Sequence, residues 1–173
     1  AVRSESPRAQ IPHRSLDYHF WRSVMLFAIQ SLVTISILAY AAVAAAADLN
    51  STHATNPLWG GHARFHVVWQ VFTHIGVGVV ALVLVWVPLG SLELRLVTAM
   101  ALTFVVLVGF FVSALAMPLY DGRLADPNGY PQLTIPIGRR RYGLDLNVLL
   151  FGTAMAVLAT AALLTVTNGG FSS

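Results

Sequence analysis

Four apolar runs, at about 24–47, 61–88, 94–119 and 145–166, dominate the chain. Each is as long as the roughly twenty residues a helix needs to cross about 30 Å of hydrocarbon. Lipid cannot satisfy backbone N–H and C=O groups, so runs of this kind cross it as helices. The expected fold is therefore all-α: one integral membrane bundle of four transmembrane helices over residues 1–173, with a tail at 1–22 and a long polar loop at 118–144. Composition agrees, because 57% of the residues are hydrophobic and 10% charged, against about 25% charged in soluble domains. The first run, with arginines before it and Ala45–Ala47 at its end, also has the outline of a secretory signal. A signal's apolar core is only about 7–15 residues, which favours a retained helix.

Missing residue types narrow the chemistry. Without cysteine there is no thiolate ligand, thiol nucleophile or disulfide. All ten basic residues are arginine, so Schiff-base and lysine general-base mechanisms are also excluded. The arginines are divided among flanking segments rather than gathered on one surface, which speaks against nucleic acid and for membrane lipids as partners. A Gly-x-Ser-x-Gly elbow and a phosphate-cradling glycine loop are both lacking.

With four spans, the N-terminal tail, the turn around Pro88–Glu93 and the C-terminus share one side of the membrane, side A. Arg3, Arg8, Arg14, Arg22 and Arg95 fall there, and Arg64, Arg123, Arg139, Arg140 and Arg141 fall on side B. The positive-inside rule is tied, and only the usual dominance of the first span leans towards a cytoplasmic N-terminus. Side B gathers the polar residues: Asp48, Asn50, His53, Asn56, Trp59, His62 and His66 from the first connection, with Asp121, Arg123, Asp126, Tyr130, the arginine triplet, Tyr142 and Asp145 from the third. Any chemistry is expected at that mouth of the bundle.

His62 and His66 stand four residues apart on the second span, with Trp69 and Thr73 continuing their stripe and Gln70 and His74 further round. At about 1.5 Å per residue, His74 lies roughly 18 Å below His62, where an ionisable group is costly and a functional candidate by default. Tyr40, Ser113, Asn147 and Thr153 are at similar depth and are its candidate partners in a polar layer. The pair His62 and His66 has the spacing of a helical metal chelate but lacks an adjoining Glu, leaving His74, Asp48, His53, Asp121 or Asp145 as third ligands for a divalent metal such as zinc, iron or copper. Interhelical hydrogen bonding is the plainer use of such histidines. Bis-histidine haem ligation is disfavoured because the embedded histidines share one span. Arg139, Arg140 and Arg141 suit an anionic headgroup or a phosphorylated ligand, or simply a solvated loop. Trp59, Trp69, Tyr120 and Tyr142 fit an interfacial aromatic belt.

The stretch Asn56-Pro-Leu-Trp59-Gly-Gly-His62-Ala-Arg64-Phe-His66 resembles the signature of small four-helix membrane proteins grouped as a family of unknown function. There a Trp-x-x-His-Ala-Arg-Phe-His motif opens the second span. That resemblance implies importance for Trp59, His62, Arg64 and His66 but no reaction. A looser likeness, of architecture alone, is to emopamil-binding-type sterol isomerases, which perform acid–base chemistry on apolar substrates within a membrane.

Two principal expectations follow. One is a membrane enzyme for isomerisation, cyclisation or hydration of a lipid-like substrate, with His66 and His74 as acid–base groups tuned by Asp48 or Asp145, and Trp59, Arg64, Trp69, Gln70, Tyr40, Ser113 and Asn147 lining the substrate site. The other is an accessory subunit docked on other membrane-protein subunits. Metal or cofactor binding through His62 and His66 is a third possibility. Transport is disfavoured, since neither an internal repeat nor an interrupted span is present.

Overall fold

A computed structural model describes residues 13–125 and 128–167, with side chains from Tyr18 onward. Arg3, Arg8 and Asp126 lie outside the described residues, as do the side chains of His13 and Arg14. The chain is a multi-pass integral membrane protein: four helices, Tyr18–Asp48, Gly61–Trp86, Leu92–Leu119 and Leu146–Thr167, are long and apolar enough to cross a bilayer.

The first span comprises α1 (His13–Leu38), a π-helical turn (Ala39–Val43) and α2 (Ala44–Asp48). It begins well before the apolar run at Val24, because no proline or glycine interrupts the chain from His13 onward. Leu49 breaks away with φ −82° and ψ 48°. The second span, α3 (Gly61–Trp86), ends where Val87 precedes Pro88 and is forced extended, with φ −88° and ψ 129°. Ser91 caps α4 (Leu92–Ala116) by accepting from the Leu94 N–H, and Pro118 tightens its exit into a 3₁₀ turn, Met117–Leu119. Asp145 caps α5 (Leu146–Thr167), its Oδ1 accepting from the Asn147 N–H at 2.8 Å.

The third connection is not wholly irregular. Strands β1 (Leu133–Ile137) and β2 (Arg140–Leu144) pair antiparallel from Leu133↔Leu144 to Ile137↔Arg140. Gly138, with φ 61°, opens the two-residue turn as hairpin twist requires.

Packing is closest between α1 and α5 and between α3 and α4. Ile29, Val33, Ile37 and Tyr40 form the buried seam of the first span and meet Ala81 and Val85 of α3, Leu96, Ala99 and Leu107 of α4, and Phe151, Ala154, Leu158 and Ala161 of α5. Lipid is as apolar as leucine, so helices associate in it through close fit and hydrogen bonds. Gly78 supplies the fit: a Cβ there would come within 2.6 Å of the Ala41 Cβ. Ser36 donates to the Ala154 carbonyl at 3.0 Å, Gln30 to that of Val85 at 2.8 Å, and the Trp86 indole to Thr34 Oγ1 at 3.0 Å. Phe27, Phe72, Phe104 and many aliphatic side chains point outward, as lipid-facing surface should.

Candidate functional site

Where α2 ends, residues 49–60 fold into a loop ordered by its own polar groups. Asn50 Nδ2 donates to the Ala47 carbonyl at 2.8 Å and to the Tyr130 hydroxyl at 3.1 Å, closing the helix end and holding the third connection against the first. Backbone bonds from Ala54 to Asp48 and from Thr55 to Asn50 turn the chain back. Asn56 is fully buried; it donates to the Thr52 carbonyl at 2.9 Å and accepts from the Leu58 N–H at 3.0 Å. Arg64 reaches back from α3 to the Trp59 carbonyl, its Nε donating at 2.9 Å.

This loop builds a carboxylate–imidazole pair. His53 Nδ1 lies 3.7 Å from Asp48 Oδ1, and both side chains are 25% exposed. Thr52 Oγ1 is 2.6 Å from Asn50 Oδ1 and 2.8 Å from His53 Nδ1. The amide oxygen only accepts, so the Thr52 proton goes to it, and the Thr52 oxygen then accepts from His53 Nδ1–H. That chain of bonds leaves His53 Nε2 with its lone pair. The Trp59 ring stands edge-on to the imidazole at 5.4 Å between centroids.

The α3 histidines divide between two faces. His62 precedes the buried Val71 by nine residues, about 180° round the helix, so it points away from the bundle, as does His66. Their Nε2 atoms are 3.0 Å apart in a direct imidazole–imidazole hydrogen bond. Trp69, also outward, lies 5.9 Å from the His66 ring, and Gln70 is exposed as well. His74 faces inward, half-buried, with its ring edge-on to Tyr40 at 6.0 Å. Tyr40 sits in the π turn, its buried hydroxyl beside the Thr103 side chain.

The expected polar layer therefore comes together only in part. Tyr40 meets His74, while Ser113 and Thr153 face outward and Asn147 belongs to the capped first turn of α5. The Asp145 carboxylate is engaged by the Asn147 and Val148 amides. Arg139, Arg140 and Arg141 occupy the exposed tip and second strand of the hairpin. Among the described residues no three His, Asp or Glu side chains are grouped closely enough to hold a metal, so His74, Asp48, His53, Asp121 and Asp145 do not complete a site with His62 and His66.

No protein-family model, curated protein or solved structure matches this chain.

Sequence reasoning named His53 only as a spare metal ligand. Its pairing with Asp48 depends on a loop fold that the four intervening residues do not announce. The clue was the density of Asn, Thr and His in 48–56, residue types that hydrogen-bond their own backbone and fold short loops.

Proposed function

We propose that this protein is a small membrane enzyme that moves a proton on an apolar, lipid-like substrate at the side B boundary, in an isomerisation, cyclisation or hydration. The observation that carries the reading is the hydrogen-bonded chain Asn50–Thr52–His53, with Asp48 beside it. It fixes the His53 tautomer, leaves Nε2 as the proton acceptor and sets a carboxylate 3.7 Å from the imidazolium that forms. A general base needs this combination of fixed orientation, an available lone pair and an opposite charge nearby. Trp59 supplies an apolar wall next to the ring. His53 thus takes the place expected of His66, and Asp48 keeps its expected tuning role.

The test compares lipid extracts from cells expressing the wild-type chain, His53→Gln and Asp48→Asn by untargeted mass spectrometry and chromatography. Wild type should change the mass or retention of at least one lipid species. His53→Gln should abolish the change, and Asp48→Asn should weaken it by about 10²-fold, within the usual range for general acid–base catalysis. Indistinguishable extracts would sink the proposal.

A second reading is favoured by the outward histidine pair. Two imidazole nitrogens 3.0 Å apart, each about 2.0–2.1 Å from a shared ion, subtend about 91–97° there. That angle suits the tetragonal geometry of Cu(II) or Ni(II) better than tetrahedral zinc. Elemental analysis of untagged protein from its native membrane tests it: a stoichiometric metal lost in His62→Ala, His66→Ala would support it, and equal metal in both would refute it.

A further inference from the structure

The β1–β2 hairpin is the one sheet among the described residues, and its faces differ. The register places Leu133, Ile135 and Ile137 on one side with their partners Leu144, Tyr142 and Arg140, and Thr134 and Pro136 on the other with Gly143 and Arg141. Every β1 residue is exposed, as is every β2 residue except the half-buried Leu144. A lone two-stranded hairpin is marginal in water and needs something to cover its apolar side. Among the described residues, the helices do not cover it.

We propose that the hairpin is an interfacial anchor that lies on the anionic headgroup layer of the chain's own membrane, with Ile135, Ile137 and Tyr142 towards the acyl boundary and Arg139, at the turn, and Arg140, on the same face, on lipid phosphates; Arg141, on the Thr134 face, is left to solvent.

Three observations select this occupant. The hairpin is tethered at both ends to membrane spans, leaving α4 through Met117–Leu119 and entering α5 at Leu146. Its strands of five residues extend only about 17 Å at about 3.3 Å per residue, so it cannot rise far from the surface. Its root is also pinned: Tyr130 and Asn128 are held by Asn50 and Asn56 of the first connection. Charge supplies the third observation, since the guanidiniums of Arg139 and Arg140 form no ion pair among the described residues and match a layer of phosphates, which guanidinium binds in bidentate fashion. A tyrosine beside aliphatic residues is the composition of a headgroup-level surface.

The chain's lack of cysteine makes the test direct. Full-length Ile135→Cys and Thr134→Cys proteins, labelled with an environment-sensitive dye, are placed in nanodiscs of phosphatidylcholine or of phosphatidylglycerol carrying a lipid-borne quencher. The Ile135 label should be blue-shifted and quenched in phosphatidylglycerol, and the Thr134 label should stay aqueous. Replacing Arg139 and Arg140 with Gln should weaken docking by about 25-fold, at about fivefold for each arginine near an anionic surface. High salt should have the same direction of effect on the arginine-bearing protein. Unchanged helical circular dichroism in the double arginine variant shows that the bundle is intact. Equal aqueous exposure of both labels in both lipids would overturn the proposal. So would an Ile135 label that becomes buried only when a co-purifying protein is added, which would give the face to a protein partner.

Discussion

His53 shows how one side chain acquires a role from its neighbours. Its ring can accept a proton at Nε2 when its Nδ1–H donates to Thr52 Oγ1, and Thr52 Oγ1 is left to accept because its own hydroxyl donates to Asn50 Oδ1. Thr52→Val should therefore free the imidazole to exchange tautomers while leaving Asp48 in place. Nitrogen-15 chemical shifts of His53 should then move from a single Nδ1–H form to a mixture, and unchanged shifts would show that the hydroxyl does not set the tautomer. Asn56 acts one step further out. It is fully buried with both ends of its amide bonded, so Asn56→Ala strips partners from two backbone groups at a cost of about 1–3 kcal/mol. Hydrogen exchange should accelerate across 49–60 and leave the middle of α5 unchanged.

The first and second spans are joined by shape as well as by the Gln30 and Trp86 hydrogen bonds. Gly78 lets α3 approach the π turn so closely that a Cβ would clash with the Ala41 Cβ at 2.6 Å. Gly78→Ala should lower resistance to denaturing detergent by about 1–3 kcal/mol, the usual range for overpacking, and Ala41→Gly should restore much of it by removing the opposing methyl. Failure of the second change to help would mean that the close approach is not what limits stability. On side A, Arg95 closes the end of α3: it is 8% exposed, and its Nη1 donates to the Leu84 and Val87 carbonyls at 2.8 and 2.6 Å. A cation at a helix C-terminus meets the negative end of the dipole. Arg95→Met should cost about 1.5–3 kcal/mol per charged hydrogen bond lost, measured in the same detergent titration.

Over the whole molecule, four spans put the first and third connections on one side of the membrane and the Pro88–Gly90 turn on the other. In sealed vesicles, Ser51→Cys and Leu89→Cys, each alone in a chain without cysteine, should react with an impermeant maleimide from opposite sides. Labelling from the same side would break the four-span arrangement. The division of labour follows this topology: side B carries the folded loop, the carboxylate–imidazole pair and the hairpin, whereas side A presents a short capped turn.

The number of spans, their membrane environment and their approximate limits were legible in the sequence, because burial in lipid imposes long apolar runs that no other setting requires. The polar character of the side B connections was legible too. The β-hairpin had a readable signal in the alternation Leu133-Thr-Ile-Pro-Ile137 before Gly138, but a segment rich in proline, glycine and charge reads first as a loop. Which histidine pairs with which group was not legible. His62, His66 and His74 share one helix, yet the first two face out and the third faces Tyr40. Helical spacing fixes angles between side chains on one helix, whereas the direction of the bundle is set by the close fit of Gly78 against Ala41 and by the seams on four helices at once. Those contacts join residues far apart in the chain, and only the tertiary structure brings them together.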